Sequence, residues 1–273
     1  MSKKVVNGKI SFAAFYYRKD YIKSKTLSIQ KRKERNIMEY IIILILSLIL
    51  IGIGYAIFNI QLKEMKKAGK NKRLDELTSK FPENKEICKS ILEKLDNSKV
   101  KIKENEDNKT SLYIAMSDTI FIANIKDTYT RIQTIAHECL HSVQSRRLLL
   151  FNFIYSNIYI LYFALSIILT IFGVFKDTKL QIIILTILGF LYYVIRSYLE
   201  TDAMTKAPYL AKEYMLEYIE KNPICTKEEI EEVTNEYDRI NKLGIPATNY
   251  ILMVNCIIKV ILYILVILMK NLF

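Results

Sequence analysis

The chain has two histidines, His137 and His141, and they stand four residues apart in the run His137-Glu138-Cys139-Leu140-His141. On an α-helix, positions i and i+4 lie one above the other, so both imidazoles can reach a single metal ion from the same face. Glu138 flanks that face. From there its carboxylate can take a proton from an attacking water without being a ligand, the general-base role in metal-assisted hydrolysis. Zinc suits such a site because it accepts nitrogen and oxygen donors, lowers the pKa of water toward neutrality and polarises a carbonyl. The pentad is the HExxH pattern of zinc proteases. Ile132, Ile135, Ala136, Leu140 and Val143 fall at helical spacing beside it, the apolar stripe of a helix packed on a core. Cys139 points away from the histidines and reads as a small packed residue.

A catalytic zinc keeps three protein ligands and an open position, whereas a structural zinc usually has four. No histidine remains, and Cys88, Cys139, Cys225 and Cys256 form no Cys-x-x-Cys pair or disulfide framework. The third ligand is therefore expected to be a carboxylate. Glu200 is the first choice, because it shares a helix face with Ala203 and Met204, and the small Ala203 would let its helix approach the motif helix closely. Asp202 projects nearly the opposite way and is the alternative, as ligand or as a supporting group.

The elements that must position these residues lie partly in a membrane. Half of the 273 residues are hydrophobic (51%), and they collect in long runs. Tyr40 to Gln61, Leu148 to Phe175 and Leu180 to Ile195 carry no charge, and Tyr250 to Met269 carries only Lys259. These runs approach or exceed the roughly 18 to 20 residues that cross a bilayer. The sequence predicts membrane helices over 39–61, 148–175, 180–199 and 250–270. Lys259 within the last should snorkel or line a helix interface.

Between the first two crossings, 62–147 reads as a soluble segment. Glu83 to Leu95 is patterned as an amphipathic helix, with Ile87, Ile91, Leu92 and Leu95 on one face. Asn105 to Lys109 is turn-like. Ser111 to Met116 and Thr119 to Ala123 read as strands around the turn pair Ser117-Asp118. Asp127 or Thr128 should open the motif helix. A small sheet followed by an HExxH helix is the arrangement of a zincin core, where an edge strand can bind an extended substrate. The fold class expected is a mainly α membrane protein with four transmembrane helices and a small α+β zincin-like segment. The second and third crossings return the chain to its starting side, which brings Glu200 to the motif. In the soluble helical segment 200–249, Thr226 to Glu229 has capping-box spacing, and the helix it opens should stop near Gly244.

The formal charge of +12 sits mainly beside the apolar runs, where it meets anionic lipid, and no nucleic-acid motif accompanies it. Residues 1–38 are basic and lack a secretory signal pattern. Lys63, Lys66, Lys67, Lys70, Lys72 and Arg73 follow the first crossing, so the positive-inside rule asks for both of its flanks to be cytosolic. A native start at Met38 would remove the conflict, and peptides from residues 1–30 in the native protein would refute it.

The motif residues Ile135 to Gln144 and the stretch Glu200-Thr201-Asp202-Ala203 carry a resemblance to the YugP-like neutral zinc metallopeptidases, whose layout matches 38–270. That resemblance implies one catalytic zinc held by His137, His141 and Glu200, with Glu138 as base, in a multi-pass protein of a bacterial plasma membrane. Leu140 stands where the family often has glycine, and Met204 where more distant membrane proteases carry an aspartate that orients a ligand. The activity expected is a membrane-anchored metalloendopeptidase acting on peptide or protein substrates, its site at the membrane surface and facing the cytosol. A zinc-holding scaffold without activity is the alternative. Intramembrane proteolysis is disfavoured by Lys126, Asp127, Arg131 and Gln133 ahead of the motif. Arg196 and Tyr209 are the candidates for stabilising an oxyanion.

Overall fold

The computed structural model describes residues 3–105 and 110–272, with side chains from residue 23 onward except at positions 24, 29, 32, 105 and 272. In chain order the elements are α1 (Lys3–Ile57), α2 (Leu62–Lys67), α3 (Lys72–Ser79), α4 (Asn84–Lys94), β1 (Lys101–Asn105), β2 (Leu112–Ile114), β3 (Thr119–Ala123), α5 (Arg131–Val143), α6 (Arg146–Ile171), α7 (Thr178–Lys221) and α8 (Lys227–Leu272). Of the turn expected at 105–109, Asn105 instead closes β1, and 106–109 lie outside the described residues.

Four helices, α1, α6, α7 and α8, are long and apolar enough to cross a membrane, as the hydropathy pattern predicts. Together they bury Tyr40, Tyr159, Leu185, Tyr263 and Ile264 while exposing Leu46, Ile53, Leu161, Ile187 and Phe190 on the outside. So large an exposed apolar surface is what a helix bundle presents to hydrocarbon. Two polar pairs form inside it: Thr170 and Tyr263 hydroxyls meet at 2.8 Å, and Tyr40 and Thr178 at 2.6 Å. The second pair places the start of α7 beside α1 at the end remote from the motif. α6 and α7 therefore form the expected return hairpin.

α7 continues from the crossing at 180–199 through Glu200, Ala203 and Met204, on the shared helix expected of them, unbroken to Lys221. One expected helix end is overturned, since α8 passes through Gly244 and Pro246 to Leu272. Hydropathy marks where a helix leaves an apolar medium, not where it ends. Past Leu199 the surface of α7 is carried on by ion pairs at i,i+4, Arg196 with Glu200 and Asp202 with Lys206. Gly244 is a packing glycine rather than a stop, since a Cβ there would lie 3.2 Å from Met204 Cε of α7. The capping box at the start of α8 forms as predicted: Thr226 N–H donates to Glu229, and Glu229 N–H donates to Thr226 Oγ1.

The lower halves of α7 and α8 join α3, α4, α5 and the sheet in a second core, outside the bundle, built on Leu74, Ile87, Ile91, Ile120, Ile132, Ala203, Met215 and Tyr237. The three-stranded sheet has the order β1-β3-β2, with β1 parallel and β2 antiparallel to β3. β3 is buried at its centre and β2 is an edge. Both expected strands are present; β1 was not foreseen, because Lys101, Lys103 and Glu104 mask its alternation. α5 buries Ile132, Ile135, Ala136, Cys139 and Leu140, but Val143 at its end is 43% exposed and leaves the predicted stripe. Cys139 packs on Cys88, sulfur to sulfur at 3.6 Å.

α5 begins at Arg131 rather than at Asp127 or Thr128, because the preceding residues are held by other partners. Tyr129 N–H donates to Asp75 Oδ1 and its carbonyl accepts from the Tyr237 hydroxyl. Arg131 itself is fully buried, and its guanidinium donates to Asn84 Oδ1 and to the carbonyls of Thr78, Phe81 and Pro82 at 2.8 to 3.0 Å. It closes the C-terminal end of α3 and ties it to the motif helix. Arg131→Met would leave Asn84 Oδ1 and the carbonyls of Phe81 and Pro82 without their guanidinium donor, the Thr78 carbonyl keeping the Phe81 N–H. A loss of about 3 to 5 kcal/mol is expected, read as a lower thermal midpoint in detergent. An unchanged midpoint would contradict this role.

Candidate metal centre

α5 brings His137 and His141 together with their Nε2 atoms 3.1 Å apart and their rings edge to face. α7 crosses that face at Ala203, fully buried, and delivers Glu200 between the histidines. Its Oε2 lies 3.5 Å from His137 Nε2 and its Oε1 3.7 Å from His141 Nε2. The three side chains can each offer one ligand atom with all of them within 4.8 Å of one another, and the group could hold a metal ion. Tetrahedral zinc with bonds of roughly 2.0 to 2.1 Å needs donors about 3.3 Å apart. The donors are already near that spacing.

Gln144, at the end of α5, fixes the chemistry of His141. Its Nε2 donates to the carbonyl of Leu199 and to Asp202 Oδ2, both at 2.9 Å, and both partners can only accept. The amide is thereby oriented with Oε1 toward His141 Nδ1, 2.8 Å away. Nδ1 must carry the hydrogen, and Nε2 turns its lone pair toward Glu200 and His137. This is the arrangement in which an outer hydrogen bond selects the ligating nitrogen. Burial disfavours a charged His141, but the Glu200 carboxylate and Gln144 outweigh it and raise the imidazole above its ordinary value; the pocket attracts positive charge.

Asp202 therefore does not join the ligand group. It accepts from Gln144 and pairs with Lys206 at 2.5 Å, so it supports His141 through Gln144. Arg196 pairs with Glu200 Oε1 at 2.6 Å and lines the cavity, whereas Tyr209 is 67% exposed and lies outside it.

Glu138 is buried in the same cavity. Burial pushes its carboxyl above the ordinary carboxylate value despite the opposing pull of His137 and His141, and the Tyr113 N–H of β2 bonds to it. The cavity, about 280 Å³, is bounded by residues 110–113 on one side and by Leu149 and Arg196 on the other. A second cavity of about 400 Å³ shares His137 and Glu200 and extends between α5, α7 and α8 past Met204 and Ile240.

No protein-family model, curated protein or solved structure significantly matches the chain.

The closeness of α7 to α5 is held by one further link that the sequence did not reveal. Pro208 lacks the N–H that would bond the carbonyl of Met204 within α7. The Asn241 amide of α8 donates to that carbonyl instead, and Gln133 of α5 donates to Asn241 Oδ1 at 2.8 Å. Three helices are thus tied together one turn beyond Glu200. Gln144 has a weaker but legible signal, a polar residue three positions after the last histidine, where a helix returns to the same face. Gln144→Leu should keep the fold and weaken metal binding by about 10- to 100-fold, measured by competition with a chelator. Equal affinity would show that the amide does not govern His141.

Proposed function

We propose that this chain is a membrane-anchored, zinc-dependent endopeptidase of the YugP-like kind, its soluble part a reduced zincin. The observation that carries the reading is the meeting, in one cavity, of a His-His-Glu donor group with a tautomer-fixed histidine and a separate buried glutamate. A purely structural site has no use for Glu138. The donor set fits zinc in type, number and spacing, and three protein donors leave a position open. When bound, zinc polarises the scissile carbonyl and makes water a better nucleophile at neutral pH.

The residues of the chain do the rest. Glu138, its proton affinity raised by burial, takes the proton of the attacking water and passes it to the leaving amine. The Tyr113 N–H keeps that carboxylate aimed into the cavity. β2 lies along one wall as an edge strand, its outer side paired with no other strand among the described residues, so an extended peptide can bond to it through its main chain. Arg196 holds Glu200 and lines the same cavity, where its cation can steady the charge that develops on a bound carbonyl.

Basic residues flank the bundle at both ends, Lys63, Lys66, Lys67, Arg146 and Arg147 at the motif end and Lys31, Lys33, Arg35, Lys176, Lys179 and Lys270 at the other; a cytosolic site in a bacterial plasma membrane is proposed from the family resemblance. The test is zinc-dependent cleavage of unstructured peptide by purified wild-type protein, absent from Glu138→Gln. Failure of zinc-loaded wild type to cleave any member of a mixed peptide library would overturn the proposal.

A further inference from the structure

We infer that the substrates are membrane-anchored proteins, cut in the stretch of chain that emerges directly from the bilayer; this rests on the peptidase reading above. The reason is where the walls of the site come from. One wall of the cavity that holds Glu138 is the edge of β2. The other is Leu149 and Arg196, residues of two helices that continue into the apolar bundle.

Arg146 and Arg147 open α6 immediately before its apolar run, and Arg196 is the first charge after the run 180–195 of α7. Arginines at these points mark the level of the lipid headgroups. Glu200 lies four residues beyond Arg196 on an unbroken helix, a rise of only about 6 Å. On the other helix, His141 is five residues ahead of Arg146. The ligand group therefore sits within about a helical turn of the headgroups.

Two apolar side chains stand exposed at this level: Leu112 of β2, which lines the cavity and is 39% exposed, and Val143, two residues after His141 and close to the start of α6. β2 is itself beside the first turn of α6, since Leu112 and Tyr113 line one cavity with Leu149. On the far side of Glu200 the second cavity follows α7 away from the bundle, past Met204 and Ala207. A chain leaving the membrane would meet the apolar lip, pass between β2 and Leu149, cross the donor group and continue into the second cavity. At about 3.3 Å per extended residue, the bond brought to the donors lies roughly two to eight residues from the end of the substrate's membrane helix.

The experiment uses the full-length, zinc-loaded protein in liposomes of phosphatidylcholine and phosphatidylglycerol. The probe is a mixed-sequence segment of about 12 residues, offered in three forms: directly after a single membrane helix, after the same helix and a Gly/Ser spacer of about 30 residues, and free in solution. The spacer form is tethered as well, so it controls for the gain in local concentration that any anchor gives. Products are mapped by mass spectrometry, with Glu138→Gln as background. The expected result is cleavage of the direct form at least about tenfold faster than the spacer form, with cuts clustered close to the helix end. Equal cleavage of direct and spacer forms, or faster cleavage of the free peptide, overturns the inference while leaving the peptidase reading intact. Absence of Glu138-dependent cleavage in all three forms overturns that reading, and the inference with it.

Discussion

Glu138→Gln is expected to lower peptide hydrolysis by about 10²- to 10⁴-fold while the protein still binds about one zinc per chain. The substitution keeps the shape of a side chain that is buried, and its amide oxygen can still accept the Tyr113 N–H. What it removes is the group proposed to take and return the proton. Because Glu138 does not belong to the donor group, zinc content should not follow activity down. Glu138→Asp provides the second measurement: it keeps the acid but draws it back by one methylene, and an intermediate rate is expected. A Glu138→Gln protein that cleaves at the wild-type rate would remove Glu138 from the chemistry. A scaffold that uses zinc only for structure would keep its cellular role in this variant, and a peptidase would lose it.

The parts of this molecule legible in its sequence are those fixed by short-range geometry. The i,i+4 spacing of His137 and His141 dictates a shared face, and the helix-face argument that favoured Glu200 over Asp202 rests on the same 3.6-residue period. Ala203, fully buried where α7 meets α5, is the small residue that argument required. Four apolar runs and the Thr226 capping box are equally local signals. What was not legible depends on partners distant in sequence. β1 is a strand because β3 pairs with it, and its lysines hide the pattern. α8 runs on past Gly244 because it packs on α7, a fact that hydropathy does not carry. Arg131 and Gln133 count in the sequence only as polar residues that disfavour a motif helix in lipid; both are buried, one closing α3 and the other bonded to Asn241. Asn241 is an ordinary polar residue until the elements it bridges are known.

Glu200→Ala is expected to abolish stoichiometric zinc, weakening it by more than about 10²-fold, while Asp202→Asn keeps most of it. The distinction follows from what each carboxylate touches. Glu200 faces both Nε2 atoms and supplies the only carboxylate of the donor group, so its loss leaves two neutral nitrogens beside the cationic Arg196. Asp202 acts one bond further out, by orienting Gln144; an amide oxygen at 202 can still accept from the Gln144 Nε2. Metal content by mass spectrometry on detergent-purified protein should therefore fall in a graded order, most for His137→Ala, His141→Ala and Glu200→Ala, less for Gln144→Leu, least for Asp202→Asn. Glu200→Gln separates charge from shape, because it preserves the packing of α7 on α5 yet offers zinc a neutral oxygen; it should group with Glu200→Ala. Retention of zinc by both Glu200 variants with loss in Asp202→Asn would reverse the assignment and make Asp202 the ligand. Retention by every variant would place the metal elsewhere and detach Glu138 from any water it could activate.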